Sequence, residues 1–343
     1  MPNGVTDRNL ATVNSESSPS AQPRTSPTKL VQLGKTNLEV SPVGTGTWQW
    51  GGAFYWGYGR SYNDVDLAGA YAASIENGIN WFDTAEIYGR GRSEKILGRM
   101  VNDSSDTSSS SPLIATKFFP YPWRWHHSSL RRALKASLRR VNSDSIDLYQ
   151  THFPFRPRSF EYWVDALADA AQDGLITAVG VSNYSAEQTK RTHEMLAKRG
   201  VVLATNQVGY SLLNRRIESN GVLETCQQLG VSVISYGPLS EGLLTGKYRT
   251  DNPPPLLRKW RWARKRLKLL PPLISLMKDI ASAHDASESQ VALNWLIQKE
   301  TLPIPGAKSA KQAADNASTM NWRLTKDEIE ALNTATKQYV PDR

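Results

Sequence analysis

The chain has 343 residues, 39% of them hydrophobic, and a formal net charge of +9. That is apolar material enough for a sizeable core, while no run of about eighteen apolar residues occurs, which argues against a membrane-spanning helix. The one cysteine, Cys226, excludes an internal disulfide framework and a cysteine zinc cluster, and reads as a small core residue of a chain from a reducing compartment.

Residues 1–29 are rich in Ser, Thr, Asn and Pro and poor in large apolar side chains, and are expected to be disordered. They hold no apolar signal core. They are Ser-rich, as organelle transit peptides are, but Asp7 and Glu16 and the weak amphipathic pattern favour a cytoplasmic over a plastid location. Residues 31–40 read as a hairpin around a Gly-containing turn. The next strand, 43–48, is interrupted by Gly44 and Gly46, and glycines inside a strand often mark close approach to the backbone by something else. After a loop rich in Trp, Tyr and Gly, residues 64–77 have helical spacing behind an Asn-Asp cap signal. Strand 79–83 follows.

From there strands and helices alternate. Helices are expected at 93–101, 129–141, 160–172, 186–199, 221–229, 273–283, 289–297, 311–316 and 325–336. Strands are expected at 113–117, 146–152, 176–182, 202–207, 231–236 and 301–304. Eight strands in this rhythm over about 300 residues imply an α/β chain folded as a (β/α)8 TIM barrel, with an N-terminal β-hairpin and extra C-terminal helices, spanning residues 30–343. No G-x-G-x-x-G follows an early strand and no phosphate-loop lysine motif occurs, so a Rossmann domain is disfavoured.

In such a barrel the C-terminal strand ends share one rim, where chemistry sits. Asp83 falls at the end of strand 79–83 and Tyr88 just beyond it, while Lys117 and His152 end two of the following strands. Each of them alone reads as an ordinary cap or a snorkelling side chain; their coincidence on neighbouring strands is what points to chemistry. A lysine near a phenol lowers its pKa, a carboxylate orients the lysine, and a histidine can hydrogen-bond a carbonyl oxygen. The set suits protonation of an oxygen as hydride reaches carbon. It does not suit a metal, for which no His-x-His stands on a strand.

Seven segments in order resemble the aldo-keto reductases, and most closely the branch shared by bacterial and plant plastid enzymes. They are the Phe82-Asp83-Thr84-Ala85-x-x-Tyr88-Gly89 stretch, the Lys117 strand, and the segments 146–152, 180–185, 206–215, 237–248 and 304–309. The resemblance implies that Asp83, Tyr88, Lys117 and His152 form a catalytic tetrad, with Tyr88 as general acid, in an NADPH-dependent reductase of aldehydes or ketones. Ser182 and Asn183 would then hold the nicotinamide carboxamide with Gln207 beside them, and Tyr210 would stack under the ring. Leu239, Gly242 and Lys247 would run along the pyrophosphate, with Pro238 and Gly306 also in the NADP site. Lys308 and Ser309, ahead of a helix, match the positions that hold the 2′-phosphate, and Gln312 and Asn316 would face the adenine. An aromatic substrate wall is expected from Trp48, Trp50, Tyr55, Trp56, Phe119, Tyr121, Trp123 and Phe153.

Two features depart from the family pattern. Glu241 brings a negative charge into the phosphate loop. The basic segment 256–270, with Trp260 and Trp262 among its cations, reads as a solvated helix, a lid over cofactor phosphates or a surface for anions. The expected partner is a small carbonyl compound, with no nucleic acid and no membrane span; monomer and homo-oligomer stay open. The same resemblance reaches the potassium-channel β subunits, so a cofactor-sensing regulatory subunit is the alternative reading.

Overall fold

The computed structural model describes residues 29–103, 111–155, 158–248, 252 and 264–340. The N-terminal segment up to residue 28, most of the serine-rich connection at 102–111 and most of the basic segment lie outside the described residues.

A two-stranded antiparallel hairpin comes first, β1 (Val31–Gln32) against β2 (Glu39–Val40). Eight parallel strands follow in chain order: β3 (Thr45–Gly46), β4 (Trp81–Asp83), β5 (Leu113–Phe118), β6 (Ile146–Thr151), β7 (Ile176–Ser182), β8 (Leu203–Gly209), β9 (Ser232–Tyr236) and β10 (Thr301–Pro303). Each strand pairs with its sequence neighbour, as expected when every crossover has the same hand. The sheet curls until first and last strands meet, completing the (β/α)8 barrel. The Gly44 N–H donates to the Pro303 carbonyl and the Gly46 N–H to the Pro305 carbonyl, each at 3.0 Å, and Gly46 bridges Gly306.

The two glycines of β3 explain themselves at this seam. A Cβ on Gly44 would stand 2.4 Å from the Trp81 indole, and one on Gly46 would stand 2.8 Å from the Ile304 carbonyl oxygen. The regular strand is therefore shorter than the sequence spacing implies, because the chain is shaped around its neighbours rather than along a ladder.

Helices start where the sequence offers caps. Asn63 and Asp66 form a capping box at α2 (Asp64–Glu76), the helix that follows the single turn α1 (Ala53–Trp56). Arg92–Asp103, His127–Val141, Phe160–Gln172 and Ala186–Ala197 are α3 to α6, Arg216–Ser219 and Val222–Leu229 are α7 and α8, and Arg264–Ala283 is α9. Glu288–Gln298, Ala310–Ser318 and Lys326–Ala335 are α10 to α12. Ser287, Ser309 and Thr325 cap the last three. Among the described residues no helix is long and apolar enough to cross a membrane.

Alternation along the strands divides the barrel into layers. Trp81, Ala115, Leu148, Ala178, Ile234, Leu302 and Ile304 make the inner apolar layer, closed below by Leu33 and Val40 of the hairpin. Phe82, Tyr149 and Val179, one residue along, and Phe118, three along from Ala115, pack outward in the large shared core under the helices. One further step of two along each strand brings Asp83, Lys117 and Gln150 inward, so a polar layer sits directly on the apolar one. Replacing Gly44 by Ala should therefore lower stability by about 1–3 kcal/mol, read as a lower urea midpoint at unchanged slope; an unchanged midpoint would mean that the seam tolerates a methyl group.

Candidate active site

The polar layer is built around one ion pair. Lys117 Nζ donates to Asp83 Oδ1 at 2.5 Å and to the Thr84 carbonyl at 2.8 Å. Asp83 Oδ2 accepts from Gln207 Nε2 at 2.8 Å and, at a longer 3.5 Å, from Gln150 Nε2. Gln150 Oε1 accepts in turn from Thr205 Oγ1 at 3.2 Å. Lys117 and Asp83 are buried. A buried pair is tolerated when its remaining lone pairs and protons are met, and here neighbouring strands supply those partners. Burial draws the Lys117 ammonium down from its usual pKa, and the Asp83 charge opposes that shift.

Tyr88 sits above this pair. It begins a tight turn, Tyr88–Gly91, in which Gly89 and Arg90 both take positive φ. Lys117 Nζ lies 5.1 Å from the Tyr88 ring centroid, and the His152 ring stands edge-on at 5.8 Å. Trp48 flanks Tyr88 at 6.3 Å. Burial, with the charge of Asp83, pushes the Tyr88 phenol well above its usual pKa. This differs from the expectation that Lys117 would lower it. The reason is the depth of burial, which the ammonium, engaged by Asp83 and Thr84, does not offset. At neutral pH Tyr88 therefore keeps its proton. His152 is the converse. Burial and the Lys117 charge hold its pKa well below the usual value, so it is a neutral imidazole, and its Nδ1 has no hydrogen-bond partner among the described residues.

A cavity of about 1050 Å³ opens over this layer. Asp83, Tyr88 and His152 line it, with Lys117 just beneath. Trp48, Tyr55, Trp56, Phe119 and Phe153 form one end. The cavity then runs past Ser182, Asn183 and Gln207 to Pro238, Leu239, Gly242 and Lys247, and on to Gly306, Lys308, Gln312 and Asn316. Ser182 Oγ donates to the Gln207 carbonyl at 2.8 Å. Asn183, at φ 64°, donates from Nδ2 to the His152 carbonyl at 3.1 Å. The lysine expected near the far end, Lys308, lies over the Tyr62 ring at 4.7 Å, and its N–H is held by Gln312 Oε1 at 2.9 Å.

Five expected residues do not reach the cavity. Tyr210 is fully buried, donates to Glu218 Oε1 at 2.7 Å and packs on Trp295 at 5.2 Å. Trp50 is also fully buried, its indole N–H on the Ala307 carbonyl at 2.9 Å. Tyr121 and Trp123 stack on each other at 4.6 Å outside the cavity, with Trp123 70% exposed. The Ser309 hydroxyl caps α11, accepting from the Gln312 N–H at 3.4 Å.

The sequence reading missed Tyr236. It is the last residue of β9, lines the cavity, and donates from its hydroxyl to Asn183 Oδ1 at 2.9 Å. The signal was present: an aromatic at a strand's C-terminal end, directly before Gly237-Pro238. Glu241 also finds a partner. Its Oε2 accepts from the Tyr55 hydroxyl at 2.7 Å, so the loop after β9 is tied to the loop after β3 across the cavity. Glu241 holds φ 56°, within a run from Ser240 to Gly242 at positive φ. Among the described residues no cluster of three or more His, Cys, Asp or Glu side chains is placed to hold a metal ion.

Known proteins match this chain along most of its length. The sequence model of the aldo/keto reductase family matches residues 42–337. A chloroplastic pyridoxal reductase of Arabidopsis thaliana is 39% identical over 321 residues, covering 91% of this chain and 87% of that protein. The crystal structure of a Klebsiella pneumoniae aldo-keto reductase in complex with NADPH superposes with a TM-score of 0.71 at 26% identity, over 92% of this chain and 97% of that one. A glycerol dehydrogenase from Gluconobacter oxydans gives a TM-score of 0.78 at 26% identity, with coverage of 92% and 97%.

The depressed pKa of His152 has a consequence for stability. A group whose folded pKa lies below its unfolded value contributes stability that is complete above about pH 6.5 and is lost as pH falls toward the folded pKa. Between about pH 6 and 5 the wild-type chain should lose stability more steeply than His152→Gln, by a slope difference approaching about 1.4 kcal/mol per pH unit. Urea unfolding at stepped pH measures this, and equal slopes would mean that His152 protonates freely in the folded state.

Proposed function

The chain belongs to the aldo/keto reductase family, and on that premise we propose that it reduces aldehydes to alcohols with NADPH, favouring planar aromatic aldehydes such as pyridoxal. The observation that carries this reading is the juxtaposition of a protonated Tyr88 with a buried Asp83–Lys117 pair below it and a neutral His152 beside it. The name of the Arabidopsis relative supports the substrate class, and the NADPH complex of the Klebsiella relative supports the cofactor.

The residues present fit an extended dinucleotide. Open space surrounds the Cβ direction of Gly237, and Lys247 and Lys308 bring positive charge along one continuous cavity. The start of α11, a nine-residue helix, lies next to Lys308 and favours an anion there. We assign the 2′-phosphate to Lys308 with the α11 amides, the carboxamide to Asn183 and Ser182, and the face of the nicotinamide to Tyr236 in place of Tyr210. Bound NADPH supplies the hydride that reaches the carbonyl carbon.

The chain's own groups handle the oxygen. The Tyr88 hydroxyl donates its proton to the carbonyl oxygen as negative charge grows there. The phenol's high resting pKa keeps that proton in place until the charge develops. Lys117, fixed by Asp83 and 5.1 Å from the Tyr88 ring, is a positive charge placed to offset the tyrosinate that then forms. His152, as a neutral imidazole, carries one ring N–H to offer to the same oxygen. The indole and phenyl walls exclude water and receive the flat body of the substrate.

Tyr88→Phe should lower kcat by about a thousandfold while the NADPH dissociation constant, read by quenching of protein fluorescence, stays the same; retained turnover would remove Tyr88 as the acid. Tyr236→Ala should weaken NADPH binding by about tenfold, whereas Tyr210→Leu, which removes the other ring, should leave it unchanged in the folded protein. The opposite pattern would restore Tyr210 to the ring-stacking role.

A further inference from the structure

Resting on the reductase reading, we propose that Glu86 is a positioning residue for substrate choice: through Arg124 it fixes the wall residue Phe119 so that planar aromatic aldehydes are favoured over small aliphatic ones. Glu86 lies three residues after Asp83, in the loop that carries Tyr88, and plays no part in the proton chemistry. Its Oε1 accepts from the Phe119 N–H at 2.6 Å and from Arg124 Nη1 at 2.5 Å. Its Oε2 accepts from Arg124 Nη2 at 2.9 Å. Arg124 Nη1 donates onward to the Phe119 carbonyl at 2.7 Å. One carboxylate and one guanidinium thus hold both the N–H and the carbonyl of Phe119.

The fork is sheltered, with the Glu86 side chain 8% and the Arg124 side chain 17% exposed. A paired, two-pronged contact of this kind fixes orientation as well as distance. The guanidinium is also packed between rings, 4.8 Å from the Phe118 centroid and 5.1 Å from that of Tyr121. Phe119 is the ring that faces the reacting groups, 5.7 Å from His152 and 6.0 Å from Phe153. An aromatic aldehyde lying against Phe119 is bound through that ring face, so the tilt of the ring sets how tightly it is held. A small dicarbonyl held at Tyr88 and His152 has no ring to lay against Phe119 and does not depend on its tilt.

The test compares 4-nitrobenzaldehyde with methylglyoxal in wild type, Glu86→Gln, Arg124→Met and the double variant, with NADPH titration of each. Each single change should raise KM for nitrobenzaldehyde by about tenfold, with kcat within about twofold, and leave KM for methylglyoxal and NADPH binding unchanged. The double variant should be no worse than either single one, since the two residues form one unit. Equal rises in KM for both aldehydes, an unchanged KM for nitrobenzaldehyde, or additive losses would overturn the proposal. If Glu86→Gln loses NADPH binding, Arg124→Lys, which keeps the charge and removes the fork, carries the same comparison. Failure of the wild type itself to reduce either aldehyde would strike the reductase reading instead.

Discussion

An ion pair with no access to water is the constraint on which the rest of this structure depends. Charging Asp83 and Lys117 inside a barrel costs more than their attraction returns unless every remaining lone pair and proton is met. The fold supplies partners from several strands: the Thr84 carbonyl for the ammonium, and for the carboxylate Gln207 from β8 and, at longer range, Gln150 supported by Thr205. Those partners are brought together only when strands far apart in sequence are in register. The apolar layer beneath, from Trp81 to Ile304, and the hairpin plug of Leu33 and Val40 keep water out from below.

The electrostatics above the pair follow from the same arrangement. Burial, with the Asp83 charge, keeps the proton on Tyr88, and burial, with the Lys117 charge, keeps His152 neutral. The two groups facing the cavity are therefore a protonated phenol and a neutral imidazole. Around them the loops are braced by side chains without chemistry of their own. Glu86 and Arg124 brace the wall after β5, and Tyr55 and Glu241 join the loops after β3 and β9. Rigid elements supply the reacting groups, and tied loops supply the shape.

Much of this was legible in the sequence, for identifiable reasons. The alternation of strands and helices fixes a barrel because parallel strands buried on both faces read as short apolar runs with capped helices between them. Asp83, Lys117 and His152 were legible because a polar residue at the end of an apolar run stands out. Gly44 and Gly46 were legible as sites of close approach, and the seam with β10 supplies the approaching groups. The misses have physical causes too. Tyr210 and Trp50 are aromatics one or two residues from cavity-lining positions, and which way a loop ring turns depends on distant partners, here Glu218 and Ala307. No spacing rule carries that information. Tyr88's raised pKa was missed for a related reason: its neighbours could be named from sequence, but not how deeply the phenol is buried among them.

The most direct measurement follows NADPH and a planar aldehyde in one sample. NADPH is titrated by fluorescence, pyridoxal or 4-nitrobenzaldehyde is added, and absorbance at about 340 nm is recorded with alcohol formation. Tight binding followed by stoichiometric oxidation and turnover is the result expected of a protonated Tyr88 above a buried Asp83–Lys117 pair. Tight binding with no oxidation across a panel of aldehydes would contradict it, and would leave the barrel as a cofactor-binding module whose polar layer serves stability rather than proton transfer.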